Sequence, residues 1–182
     1  MITNSKEMII NDEGFVQDIK HVLSPNCDAR PKNISINLLV IHNISLPPDQ
    51  YGGDYIEHFF TNRLNPSIDP YFQEIKNIKV SSHFVIYREG NLIQYVSCKK
   101  RAWHAGVSEW NGKKDCNDYS IGIELEGSDH IEYTKSQYEK LNQLIDCLKS
   151  YYDIKDIVGH SDIAPGRKTD PGTSFNWKKI EF

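Results

Sequence analysis

The sequence predicts one domain of mixed α and β structure, and three observations carry that reading. The chain has 182 residues, the length of one typical domain. The run Leu38-Leu39-Val40-Ile41 is apolar on both faces, as a strand inside a covered sheet must be. Further on, Tyr138, Leu141, Ile145, Leu148 and Tyr152 recur in a 3-4-3-4 rhythm, which lays one apolar stripe along a helix.

Composition excludes several classes. Hydrophobic residues make up 38% of the chain and aromatics 11%, enough for a packed core and too much for a disordered polymer. A domain of this length buries roughly 70% of its unfolded surface, so it needs neither disulfide nor metal merely to fold. Lys and Arg number 21 against 25 Asp and Glu, a net charge of -4. That balance disfavours a nucleic-acid-binding body and a polybasic membrane anchor. No apolar run approaches the ~20 residues that span a bilayer, and no basic segment leads an apolar one at the start of the chain. Cys27, Cys98, Cys116 and Cys147 are widely spaced with no CxxC pair, which reads as reduced thiols in the cytoplasm.

In chain order, residues 1–23 read as an N-terminal extension and 24–182 as the domain. Residues 24–33 are rich in turn formers and predict irregular surface chain. Residues 34–41 read as a strand ending at His42-Asn43, followed by a loop, 43–54, holding Pro47-Pro48 and Gly52-Gly53. A short helix over 55–64 has Ile56, Phe59 and Phe60 as its apolar face, and Asn65-Pro66 ends it. Residues 65–79 read as a long connection. A hairpin pairs 83–87 with 92–96 about Arg88-Glu89-Gly90-Asn91. A second long loop covers 97–118. Residues 119–126 read as a strand alternating Ile121, Ile123 and Leu125 against Gly122, Glu124 and Glu126. Thr134 and Gln137 have the spacing of a capping box and open the helix 135–152. A short strand, 156–159, leads into His160, and 161–182 reads mostly as loop.

Two of the strands end in histidine, His42 and His160, and Asp170 lies ten residues after the second in a Pro/Gly loop. An ionisable residue directly after four aliphatics is costly unless paired or bound. Two imidazoles and a carboxylate, with a fourth position left to water, make a catalytic zinc arrangement, but this spacing alone matches no compact metal motif. His21, His58 and His130 sit in polar surroundings and read as surface residues; His83 and His104 adjoin aromatics, which suits a core or a cleft rim equally. Glu124 fits either a solvated face or a general base near a metal, and Glu126 reads as solvated. Lys168 is a surface lysine or, beside a metal, a stabiliser of developing negative charge.

Five blocks carry a family resemblance: LLVIHNIS (38–45), FFTNRLNP (59–66), RAWHAGVS (101–108), CNDYSIGIELEG (116–127) and GHSDIAPGRKTDPG (159–172). Together they resemble the AmpD-type zinc amidases that cleave anhydro-muramyl-L-alanine in peptidoglycan recycling. The wider group includes T7-type lysozyme amidases and peptidoglycan-recognition proteins. The likeness runs over residues 24 to 178. It implies a central mixed β-sheet flanked by helices, one Zn²⁺ per chain held by His42, His160 and Asp170, Glu124 as general base and Lys168 on the oxyanion side. Asn43, Trp103, His104 and Arg167 fall in blocks that line the family's cleft and are expected to bind substrate. The implied activity is hydrolysis of the amide between the lactyl group of (1,6-anhydro-)N-acetylmuramic acid and L-alanine in soluble muropeptides. The expected partner is that small molecule, met by a monomer in the cytoplasm, with no nucleic acid and no membrane. One departure stands out: Asp115, preceded by Lys113 and Lys114, occupies a position that is often basic in the family, which bears on peptide preference. An exported or phage-type amidase acting on intact murein and a non-catalytic muropeptide-binding module are the alternatives.

Overall fold

The computed structural model describes residues 7–181. Its strands are β1 (Lys20–His21), β2 (Cys27–Ala29), β3 (Leu38–Ile44), β4 (Phe84–Ile86), β5 (Leu92–Gln94), β6 (Lys100–Ala102), β7 (Glu109–Trp110), β8 (Lys113–Lys114), β9 (Ser120–Glu126) and β10 (Asp156–Gly159). Its α-helices are α1 (Tyr55–Phe60), α2 (Pro70–Ile75), α3 (Lys135–Tyr151) and α4 (His160–Ile163). Six strands form the central sheet in the order β1-β5-β4-β9-β3-β10. All neighbours run parallel except the β4–β5 hairpin, so the sheet is mixed, as expected.

Side-chain alternation divides the sheet into two faces. Leu39 and Ile41 of β3, with Ile121, Ile123 and Leu125 of β9, point to the face covered by α3, where they meet Tyr138, Leu141, Leu144, Ile145 and Leu148. The stripe read from the sequence is thus the buried side of α3. Its capping box is formed: the Thr134 side chain accepts from Gln137 N at 3.1 Å, and Gln137 Oε1 accepts from Thr134 N at 3.1 Å. Such caps contribute about 1 kcal/mol. The opposite face carries Leu38, Val40 and His42 of β3 beside Ser120, Gly122, Glu124 and Glu126 of β9. Helices α1 and α2 cover part of it through Ile56, Phe60, Phe72 and Ile75, packed with Val85. The functional residues lie on what remains.

Several elements differ from expectation for identifiable reasons. Strand β3 continues to Ile44 because β9 pairs with it through Ile44↔Glu126; His42 and Asn43 are therefore strand residues. Helix α1 stops at Phe60 because Asn62 is in the left-handed region, φ 59°, which an α-helix cannot continue through. The 65–79 connection contains α2, opened by Asp69, whose side chain accepts from Tyr71 N at 2.8 Å, and by Pro70 in the first turn. His160 opens α4 directly after β10. The long 97–118 loop holds β6, which pairs with β2, and the β7–β8 hairpin. Residues 1–23, read as an extension, lie partly within the domain: β1 is an edge strand of the central sheet, and Ile10 and Val16 are buried in its core. Residues 1–6 fall outside the described part.

Glu126 corrects another expectation. It is 1% exposed, not solvated. Its two oxygens accept from Gly52 N at 2.6 Å and Arg88 N at 3.1 Å, tying loop 43–54 and the β4–β5 turn to the end of β9. A buried carboxylate is tolerable because both oxygens are hydrogen-bonded. Among the described residues, no helix is long and apolar enough to cross a membrane.

Candidate metal centre

Parallel pairing places His42 and Glu124 opposite each other on one face, in register across β3 and β9. The partner strand β10 ends at Gly159↔Ile41, and the chain turns at once into α4, so His160 projects beside His42. Asp170 reaches the same point from the following loop. Four contacts hold that loop. Ser161 N donates to Asp170 O at 2.9 Å. Tyr133 Oη donates to Pro171 O at 2.7 Å. Gly172, at φ 81°, lies so close to Asp129 that a Cβ would collide with it, and a Cβ on Gly159 would come 2.7 Å from Pro171 Cδ.

Three ligand-type atoms converge. His42 Nδ1 is 3.0 Å from His160 Nδ1 and 3.0 Å from Asp170 Oδ2, and His160 Nδ1 is 3.1 Å from Asp170 Oδ2. Each imidazole turns its other nitrogen away: His160 Nε2 donates to Ala105 O at 3.0 Å, and His42 Nε2 meets His104 Nδ1 at 2.9 Å. With its proton on Nε2, neutral His160 offers a lone pair at Nδ1. Burial and the adjacent His160 push His42 down to about 4 despite Asp170, so it is neutral at pH 7. Burial pushes Asp170 up, but its close contacts with the His160 and His42 rings outweigh it and hold the carboxylate well below the usual range. Two imidazoles and one carboxylate, aimed at one point, fit a divalent cation of the zinc type.

Glu124 is 8% exposed, and its Oε2 is buried with no hydrogen-bond partner among the described residues. Burial, then the nearby Asp170, raise it well above the usual carboxylate range, with Lys168 acting in the opposite direction. A carboxyl group whose proton affinity is raised in this way suits general acid–base work. All four residues line a cleft of about 670 Å³, within the range of small-ligand sites. Phe59, Tyr71, Ile75 and Val80 form an apolar wall; Lys168, Arg167, Asp129 and His130 form the polar side.

The remaining sequence-derived candidates are spread unevenly. Asn43 lines the cleft and donates from Nδ2 to Asp129 Oδ1 at 2.8 Å. Arg167 is exposed at the rim, its Nη2 donating to Ala105 O at 2.7 Å and Val107 O at 2.6 Å. Lys168 is exposed at the mouth. Trp103 is not among the lining residues; it is half-buried and hydrogen-bonds to Asp28. His104 lines the cleft and stands against the Nε2 side of His42, away from Asp170. Its backbone N and that of Ala105 donate to Asn117 Oδ1 at 3.1 and 2.8 Å. His83 is wholly buried and accepts from Gly122 N at 3.0 Å, a structural role.

The sequence reading passed over Asp129, His130, Asn117, Ser120 and the α2 wall. For α2 the signal was present: Asp69-Pro70 is a helix-start pair. For Asp129 and His130, which reach the cleft through tertiary pairing, and for Asn117 and Ser120, which support His104 behind it, no local pattern marks the role.

Comparisons with known proteins place the chain in a family. The family model described as N-acetylmuramoyl-L-alanine amidase matches residues 32–173. The 1,6-anhydro-N-acetylmuramyl-L-alanine amidase AmpD of Escherichia coli K12 is 49% identical over 174 residues, covering 93% of each chain. The crystal structure of a selenomethionine AmpD derivative superposes with a TM-score of 0.92 at 47% identity, covering 94% of this chain and 97% of that one. The E. coli amidase AmiD, solved with the substrate anhydro-N-acetylmuramic acid-L-Ala-D-γ-Glu-L-Lys, superposes with a TM-score of 0.58 at 28% identity, covering 96% of this chain and 64% of that one. With the metal-type triangle of His42, His160 and Asp170 inside the matched segment, the chain belongs to the N-acetylmuramoyl-L-alanine amidase family.

Proposed function

We propose that this amidase hydrolyses the bond between the lactyl carbonyl of 1,6-anhydro-N-acetylmuramic acid and L-alanine in soluble muropeptides, as a zinc enzyme of peptidoglycan recycling in the cytoplasm. The observation that carries the reading is the triangle of His42 Nδ1, His160 Nδ1 and Asp170 Oδ2, with sides of 3.0 to 3.1 Å, beside Glu124 Oε2, which has no hydrogen-bond partner among the described residues. The AmpD relatives support the substrate by their identity and their coverage of 93% or more of each chain. The four cysteines are free, three of them buried, which suits a reducing compartment.

His42, His160 and Asp170 would hold the zinc, which when bound supplies Lewis acidity to the scissile carbonyl and to the attacking water. Glu124 takes the proton of that water through its free Oε2. Its raised proton affinity, caused by burial, makes it a competent base that can also return the proton to the leaving amine of L-alanine. The Lys168 ammonium at the cleft mouth neutralises charge developing on the carbonyl oxygen. Arg167 offers a cation to the carboxylates of the stem peptide, and the α1–α2 wall faces the less polar part of the substrate.

The test is hydrolysis of purified soluble anhydro-muropeptide against insoluble murein, each with and without a chelator. The expected result is release of free peptide from the soluble substrate alone, abolished by chelation and restored by zinc. Digestion of murein without the soluble substrate would overturn the recycling assignment, and binding without turnover would indicate a recognition module.

A further inference from the structure

Three hydrogen bonds behind His42 form a chain with one permissible direction. Ser120 Oγ lies 2.6 Å from Cys116 O, and a carbonyl can only accept, so the hydroxyl proton is spent there. Ser120 Oγ also lies 3.2 Å from His104 Nε2. With its proton committed, Ser120 can only accept from that nitrogen, so His104 carries its proton on Nε2. The neutral ring then presents a lone pair at Nδ1. His42 Nε2 sits 2.9 Å from that lone pair and must donate to it. His42 therefore carries its own proton on Nε2 and leaves Nδ1 bare toward His160 and Asp170.

Further features show that the arrangement is built into the fold. His104 is 9% exposed and His42 1%, so water does not compete for these bonds. The His104 ring lies directly on Gly122, where a Cβ would come within 2.5 Å of His104 Cγ; the missing side chain is what makes room for the imidazole. Asn117 fixes the backbone of the same turn through two bonds.

We infer that His104 is a positioning residue for the metal: the Ser120–His104 pair sets the tautomer and ring orientation of His42. The inference rests on the reading of His42 as a zinc ligand. An outer partner of this kind typically contributes 10- to 100-fold in metal affinity.

The experiment measures zinc affinity by chelator competition for the full chain and for His104→Leu, His104→Asn and Ser120→Ala, with circular dichroism confirming fold. His104→Leu should weaken zinc binding roughly 10- to 100-fold. His104→Asn, whose side-chain oxygen can accept near the Nδ1 position, should recover most of that loss. Nitrogen-15 imidazole spectra of the unsubstituted, zinc-free protein should place the His42 proton on Nε2, a readout independent of whether any variant folds. A proton on His42 Nδ1, or a folded His104→Leu that binds zinc within twofold of the parent, would overturn the inference. Failure of the unsubstituted protein to bind zinc would instead overturn the zinc reading itself.

Discussion

Replacing Glu124 by Gln should move activity and stability in opposite directions. The substitution keeps shape and volume but removes the basic oxygen. Loss of a general base typically costs 10²- to 10⁴-fold in turnover, and 10²-fold corresponds to about 2.7 kcal/mol in the barrier. The stability effect follows from the burial: Glu124 is 8% exposed, and its Oε2 has no partner among the described residues. Leaving such a group unsatisfied costs ~1–3 kcal/mol, more when it is charged. The amide still lacks a partner, so only part of that cost is relieved, on the order of 1 kcal/mol. In a domain of this size that raises the melting temperature by about 2–4 °C. The assays are turnover of soluble anhydro-muropeptide with zinc and thermal melting of the chelated protein. Turnover above about a tenth of the parent's would be incompatible with the general-base role. A melting temperature several degrees lower would show that the carboxylate makes a stabilising contact.

Other expectations follow from the same geometry. Lys168→Ala should keep its zinc and lose ~10²- to 10³-fold in turnover, measured by steady-state kinetics alongside metal content. Gly172→Ala places a Cβ against Asp129 at φ 81°; it should destabilise the chain by ~1–3 kcal/mol and weaken zinc binding by displacing the loop that carries Asp170, seen in denaturant melts and chelator competition. Asp28 is held below its ordinary value of 3.8 chiefly by its hydrogen bonds with Arg101, at 2.7 Å to each oxygen. A depressed carboxylate contributes stability above its unfolded pKa and loses it as pH falls through the folded value. Asp28→Asn should therefore cost at most about 1 kcal/mol at pH 7, since the pair is part-exposed, and the gap should close below about pH 4. A cost that persists at pH 2 would assign it to packing.

The parts of the fold legible in sequence are those governed by local periodicity. The α3 stripe and its capping box, the twofold alternation of Ile121, Ile123 and Leu125, and the hairpin about Gly90 all depend on neighbours within a turn or a strand. Helix α2 was missed because its six residues are too few to show a period, although Asp69-Pro70 announces it. Glu126 looks like Glu124 from sequence, two residues along the same face; only the approach of Gly52 and Arg88 distinguishes a tied carboxylate from a free one. The site divides in the same way. His42 was conspicuous as a polar residue after four aliphatics. Its opposition to Glu124 depends on the β3–β9 register, which no local pattern encodes. The placement of His104 above Gly122 depends on a missing side chain 38 residues before His160, and the spacing of Trp103-His104 gave no means of telling a cleft residue from a support behind the cleft.

The central claim is that His42, His160 and Asp170 hold one zinc ion. Crystals of the zinc-loaded protein, measured on either side of the zinc absorption edge, test it most directly. The account predicts one strong anomalous peak per chain, about 2.0–2.2 Å from His42 Nδ1, His160 Nδ1 and Asp170 Oδ2. A peak coordinated through His42 Nε2, or one placed away from this triangle, would contradict it.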